Sequence, residues 1–267
     1  MPIAQINGHD MYYEVLGHGE PLLCMGGWGT FAHENHDHLA RGLTNRYQVI
    51  VFDYRGIRDS TDDLAAPPSI ALHAADAIGL LDHLGVSRAH LVGLVGMGAC
   101  ITHEIALGRP DLARSLVNMG AWCEVDAFLR DQLEMFRTVH RDAGFYAFQQ
   151  LVTLLSFGEE YYNANKAKLL GPNGGWKELH GRLQAHSRLI DACVAFESRS
   201  RLHAVRCPAL VIHAGRDFVT GPRYTRAIEA AIPGAQGVLM DDVAHVVAGR
   251  DQKERFCRIL FDFLGRH

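Results

Sequence analysis

His90-Leu91-Val92-Gly93-Leu94-Val95-Gly96-Met97-Gly98-Ala99-Cys100-Ile101, continued through Leu107, is the stretch whose reading decides the fold. It opens as a short apolar strand, passes through closely spaced glycines and runs on with a helical pattern. The same alternation recurs on both sides of it. Upstream, residues 11–16, 21–25 and 49–52 read as strands, the last a continuous apolar run suited to burial on both faces. Ile70, Ala74, Ala77, Leu81 and Leu84 repeat at helical spacing between Ser69, a plausible N-cap, and Gly85, a C′ stop. Downstream, residues 115–119, 209–213 and 238–240 read as strands, with part of a helix at 228–232. Phe256, Ile259, Leu260, Phe263 and Leu264 mark a final amphipathic helix. Strands alternating with helices imply a mostly parallel sheet with helices on both faces.

Composition narrows the function classes. Among 267 residues, 48% are apolar and 21% charged, as in a globular chain rather than a disordered or fibrous one. Lys and Arg total 26 against 30 for Asp and Glu, and a net charge of −4 gives no electrostatic reason to expect nucleic acid or an anionic membrane as partner. Cys24, Cys100, Cys123, Cys193, Cys207 and Cys257 are scattered without a CxxC pair, which excludes a zinc ribbon or a disulfide-dense scaffold. The start of the chain lacks the basic residues and long apolar run of a signal peptide, and no apolar stretch reaches the length of a membrane span. A reduced, cytoplasmic protein is the expectation.

Residues 124–202 break the alternation. They are rich in aromatic, leucine and charged residues, with one loop signal at Gly171-Pro172-Asn173-Gly174-Gly175. The reading is a helical cap inserted over the C-terminal edge of the sheet, where open α/β sheets place their sites, with residues 1–123 and 203–267 as the core domain.

Five stretches, in order, resemble the landmarks of the α/β-hydrolase superfamily, and the resemblance spans nearly the whole chain. Met25-Gly26-Gly27-Trp28-Gly29 is similar to the loop after the third strand. Asp53-Tyr54-Arg55-Gly56-Ile57-Arg58-Asp59-Ser60 is similar to an Asp-x-Arg-Gly-x-Gly-x-Ser loop, with Arg58 in place of a glycine. Residues 93–99 stand where the nucleophile elbow belongs, Gly215-Arg216-Asp217 with Pro222 resembles the acid loop, and Asp242-Val243-Ala244-His245 the histidine loop. The resemblance implies a mostly parallel eight-stranded sheet of the α/β-hydrolase fold with a helical cap.

The elbow departs from the family. Gly-x-Ser-x-Gly serves to lift a serine oxygen above the sheet on a sharp strand-to-helix turn. Aligned from the helix side, Gly96 takes the serine's position; aligned from the strand side, Val95 does. Neither carries a hydroxyl, thiol or carboxylate. Gly96 is favoured, because glycine tolerates the unusual backbone angles of such a turn better than a β-branched valine. Val95-Gly96-Met97-Gly98-Ala99 is also similar to the elbow of N-myc downstream-regulated proteins, a branch of the superfamily regarded as non-enzymatic.

By the same resemblance, His245 is the active-site base and Asp217 the carboxylate that orients it, while Gly27 and Met97 supply backbone N–H groups to an oxyanion hole. Glu124 and Asp126 are weaker alternatives for the acid. Cys100 and Cys24 lie near the site but read as small buried hydrophobes, and Ser60 as structural. His33, Glu34, His36, Asp37 and His38 are dense in metal-ligand types without zinc spacing and read as a solvated helix start. Trp28, Trp122 and Trp176 are candidates to line a substrate pocket. Tyr161, Tyr162 and Phe196 could do so too, or could simply be the core of the insertion.

No P-loop is present, and Ile101 stands where a dinucleotide fingerprint needs its third glycine, so no cofactor is expected. The expected function is hydrolysis of a small ester, lactone or C–C bond by a His245/Asp217 dyad and backbone oxyanion hole without a serine. A cofactor-free lyase or oxygenase using that dyad, or a non-catalytic ligand-binding homologue, is the alternative. The expected partner is a small-molecule substrate, and homo-oligomerisation is left open.

Overall fold

The structure, a computed structural model, describes residues 2–28, 32, 36 and 39–267. Strands β1 (Ile3–Ile6), β2 (His9–Leu16), β3 (Glu20–Met25), β4 (Tyr47–Phe52), β5 (Ala89–Leu94), β6 (Ala113–Met119), β7 (Ala209–Ala214) and β8 (Gln236–Met240) form one sheet. Their order is β1-β2-β4-β3-β5-β6-β7-β8. β1 and β2 form an antiparallel edge, β2 joins β4 antiparallel, and every later pairing is parallel. This is the eight-stranded, mostly parallel sheet the landmarks imply. β1 is the strand the residue pattern did not single out.

Period-two alternation builds two cores. Leu23, Ile50, Leu91, Leu116 and Val211 face α1 (Ile70–His83) and α2 (Met97–Gly108), where they meet Leu80, Leu81, Ile101 and Ile105. Leu22, Val49, Val51, Val92, Val117 and Ile212 face the other way, toward Phe256, Leu260, Phe263 and Leu264 of α8 (Arg250–Leu264). With both faces covered, β4 and β7 tolerate their near-continuous apolar runs. Ser69 caps α1 by accepting the Leu72 N–H at 3.0 Å, and Gly85 beyond its end has φ 68°. The helix foreseen near 228–232 is α7 (Pro222–Ala231), whose first residue is a proline already set for the helical φ.

Between β6 and β7 the long elements are all helices: α3 (Ala127–Asp142), α4 (Phe145–Ser156), α5 (Glu159–Leu169) and α6 (Leu183–Val194). The glycine loop at 171–175 is organised from within the protein. Gln149, buried on α4, donates to the Gly171 and Gly175 carbonyls at 3.0 and 2.7 Å and accepts the Gly171 N–H at 2.8 Å. Two arginines tie α6 to the loop after β4. Arg182 donates to the carbonyls of Gly56 and Arg58 at 3.0 and 3.2 Å, and Arg188 to Asp62 Oδ2 and the Ala66 carbonyl, both at 2.7 Å. Arg58 has φ 50°, which explains why the family pattern carries glycine at that position. Beneath the same loop, Arg55 and Asp76 form a buried ion pair with contacts of 2.6 and 2.7 Å. Losing either partner would strand a charge in the core, at a cost of roughly 3–5 kcal/mol.

Several histidines are buried without charge. Burial pushes His73 and His103 down to about 4. Burial, the neighbouring His140 and Arg137 push His186 to about 3. His140 and His186 face each other Nδ1 to Nδ1 at 2.8 Å, so one ring donates and the other accepts. In the unfolded chain histidine titrates near ~6.5. Between that value and the folded ones the unfolded state binds more protons, so the stability these rings contribute is complete above about pH 6.5 and is lost as pH falls. By pH 5 each such ring costs about 2 kcal/mol relative to neutral pH. Thermal unfolding followed from pH 8 to pH 5 should show a midpoint that is level at the alkaline end and drops steeply below about 6.5. A level midpoint down to pH 5 would contradict these neutral burials.

Candidate active site

The loops after β7 and β8 are joined before any functional side chain is placed. Gly215 N–H donates to the Met240 carbonyl and Arg216 N–H to that of Val243, each at 2.8 Å. Asp217 Oδ1 then accepts the N–H groups of Val219 and Thr220 at 2.7 and 2.8 Å. Its Oδ2 lies 2.9 Å from His245 Nδ1. The Asp217 side chain is wholly enclosed and that of His245 is 10% exposed. Burial alone would raise the Asp217 carboxyl. The bonded His245 ring and the two backbone N–H groups outweigh it and hold the acid below the usual carboxylate range. A carboxylate can only accept, so Nδ1 carries the proton and Nε2 presents its lone pair. The two residues that resemblance assigned as base and orienter are in contact.

Opposite them, β5 turns into α2 within two residues. Val95 has φ 50°, and Gly96, the N-cap, has φ 83° and ψ −112°. The Gly96 carbonyl accepts from Ala99 and Cys100 at 3.0 and 3.2 Å, which starts the helix. A methyl on Gly93 would stand 2.4 Å from Ala99 Cα, and one on Gly98 would stand 2.5 Å from the Gly26 oxygen. Backbones are therefore pressed together on both sides of the turn.

Val95 is the half-buried side chain this turn presents. Its Cγ2 lies 3.6 Å, and its own carbonyl oxygen 2.7 Å, from where a Gly27 Cβ would be. A methyl on Gly120 would stand 3.3 Å from both Val95 Cα and His245 Cε1. Val95 thus lies against the Gly27 loop, and its backbone and the imidazole both border Gly120. A side chain on Gly96 would instead meet the Trp122 ring at 3.5 Å. Helix register agrees with the sequence preference for Gly96, whose Cβ would also stand 4.0 Å from the Gly120 oxygen, while Val95 Cγ2 lies against the Gly27 loop. A β-branched residue in the left-handed region costs about 1–3 kcal/mol, a strain that natural proteins concentrate at functional sites.

The remaining candidates separate by position. Met97 opens α2, so its N–H has no partner within the helix, and Gly27 lies against Val95. Cys100 is fully buried with its thiol 3.4 Å from the Trp122 carbonyl and is pushed well above the ordinary thiol range by burial; burial likewise pushes Cys24 up to about 12. Neither is a nucleophile in that state. Ser60 is structural, donating to the Asp53 carbonyl and accepting the Tyr12 N–H. Glu124 pairs with Arg199, and Asp126 caps α3 and meets Arg223, so neither faces His245.

Trp28 is wedged between the core and the insertion, its indole donating to Cys193 Sγ at 3.4 Å and packing edge-on against Phe136 and His186. Trp122 is buried beside Gly96 with an indole N–H that has no partner. Trp176 is half-buried and meets Phe157, which stacks on Tyr161. Ser156, at the end of α4, accepts the Val246 N–H at 2.9 Å and so ties the insertion to the histidine loop. Sequence reasoning missed Ser156, Gly120 and Thr220, which lie against the dyad without any motif of their own.

Gly29, His33, Glu34, Asp37 and His38 lie outside the described residues. His36 pairs with Glu14 at 2.9 Å. Among the described residues no group of three or more metal-ligating side chains converges, and no helix is long and apolar enough to cross a membrane.

A family profile described as alpha/beta hydrolase fold matches residues 20–249. A protein of Azorhizobium caulinodans, provisionally named carbamate hydrolase RutD, is 30% identical over 92% of this chain and 91% of its own length. A namesake from Stutzerimonas stutzeri is 29% identical over 95% and 96%. Among solved structures, the enol-lactonase of Burkholderia xenovorans LB400 superposes with a TM-score of 0.85 at 22% identity, covering 99% of this chain and 100% of the other. The α/β hydrolase MGS-M2, from a deep-sea metagenome library, gives 0.86 at 17% identity, covering 99% and 97%.

The geometry distinguishes the two elbow positions by experiment. Val95→Ser should place a hydroxyl beside His245 and become stoichiometrically labelled by a fluorophosphonate, as read by intact mass. The unsubstituted protein and Gly96→Ser, whose side chain would face Trp122, should stay unlabelled.

Proposed function

We propose that this chain, which belongs to the α/β-hydrolase fold family, hydrolyses a small acyl compound by general-base attack of water, without an acyl-enzyme. The observation that carries the reading is the 2.9 Å His245–Asp217 contact, with Gly120 bridging to a Val95-Gly96 turn that carries no hydroxyl, thiol or carboxylate. His245 Nε2 takes a proton from water, and the hydroxide formed attacks the substrate carbonyl. Asp217, held as a carboxylate by its backbone donors, stabilises the imidazolium. Charge on the tetrahedral oxygen develops near the start of α2, where the Met97 N–H and the helix dipole favour an anion, with Gly27 as the second donor. The imidazolium then returns its proton to the leaving group.

The substrate class we infer is an ester, lactone, activated C–C bond or carbamate. The last is suggested by the name of the RutD relatives, 30% identical over nearly the whole chain. Residues 124–202 act as a cap in this reading, supported by the Ser156–Val246 bond and by the Phe157, Tyr161 and Trp176 rings nearby. Replacing a triad serine costs a serine enzyme several powers of ten, so turnover on activated esters should be slow. Val95 equally favours a second reading, in which the dyad removes a proton from carbon or oxygen of the substrate, as in a cofactor-free lyase or oxygenase.

The test is hydrolysis of a panel of 4-nitrophenyl esters, lactones and aryl carbamates, with reaction in ¹⁸O-water to follow the attacking oxygen. On the substrate found, His245→Ala should lower kcat/KM by about 100-fold or more, and no ¹⁸O should enter the protein. Undiminished turnover in His245→Ala would exclude His245 as the base.

A further inference from the structure

We infer that Thr220 is a positioning residue for His245, holding the ring in the Nδ1–H tautomer through its side-chain oxygen. Its catalytic consequence rests on the proposed role of His245 as base, but the tautomer itself follows from counting protons. Thr220 Oγ1 lies 2.7 Å from the Gly120 carbonyl, 3.2 Å from His245 Nδ1 and 3.3 Å from Asp217 Oδ2. A hydroxyl has one proton to donate, and a backbone carbonyl can only accept. The shortest contact therefore takes the Thr220 proton, and the lone pairs of the oxygen are left facing His245. The 3.2 Å contact is attractive only if Nδ1 carries hydrogen. Asp217 Oδ2 makes the same demand from the other side, so one N–H is shared between a carboxylate and a hydroxyl oxygen.

The arrangement is sealed from water. Thr220 is 1% exposed, Asp217 9% and His245 8%. No solvent molecule is needed to complete it, and the Thr220 backbone N–H separately braces Asp217 Oδ1 at 2.8 Å. Asp217 is the charged group in contact with the ring. Asp242, on the histidine loop itself, is turned to Arg255. The Thr220–Gly120 bond also fastens the acid loop to the end of β6, beside Val95 Cα. The hydroxyl thus sets both the proton and the bearing of the imidazole.

The experiment is proton–nitrogen NMR of ¹⁵N-labelled histidine in the full chain, with Thr220→Val, Thr220→Ser and Thr220→Ala. In Thr220→Val the Nδ1–H loses one of its two acceptors, so its proton signal should move upfield and exchange faster with solvent, while Thr220→Ser stays at the parent values. On a hydrolysed substrate, kcat should fall about tenfold in Thr220→Val with KM unchanged, and Thr220→Ser should restore it. Should Thr220→Val not fold, Thr220→Ala must show the same displacement. An unmoved His245 Nδ1–H signal in the folded valine or alanine variant, or a serine variant displaced as far as valine, overturns the inference. Failure of the dyad reading looks different: His245→Ala would retain activity whatever Thr220 does to the Nδ1–H signal.

Discussion

The site depends on how abruptly the chain leaves β5. Two consecutive residues take positive φ there, and the glycines at 93 and 98 let α2 press against both its parent strand and the end of β3. Without that closeness the start of α2 would not reach the Gly27 loop, and the imidazole after β8 would face empty sheet. In most chains the conformational cost of such a turn falls on a residue that does chemistry. Here it falls on a valine, which gains nothing from strain unless its methyl groups are needed where they stand.

This substitution leaves a half-preserved machine. The carboxylate is dehydrated, doubly anchored by backbone and bonded to a nearly buried ring, and keeping a charge dry is expensive unless every lone pair is met. That investment is hard to explain for a protein that only needs the scaffold. The turn at Val95 and Gly96, by contrast, carries no hydroxyl, thiol or carboxylate. On these two facts rests the proposal of a base that acts on solvent or ligand.

Much of this was legible in the sequence, for reasons that can be stated locally. Continuous apolar runs such as Val49 to Phe52 and the stripe from Ile70 to Leu84 announce burial on two faces and on one. Asp217 and His245 were picked out because Gly215-Arg216-Asp217 with Pro222 and Asp242-Val243-Ala244-His245 resemble the acid and histidine loops of the family. The elbow was harder: two alignments competed, one placing the helix-capping Gly96 and the other Val95 where the family has its serine. Thr220, Gly120 and Ser156 had no signal, since each acts through a contact spanning 25 to 100 positions along the chain. Arg58 was noticed as a departure, and its backbone angle supplies the reason the usual residue is glycine.

The anchoring of the inserted helices is lopsided. Arg182 and Arg188 bolt the α6 end to backbone carbonyls and a carboxylate of the β4 loop, whereas α5 buries a single side chain, Leu169. The helices between β6 and β7 are thus bound firmly at the α6 end and lightly at the α5 end, and through Ser156 the lightly held side is joined directly to the backbone next to His245.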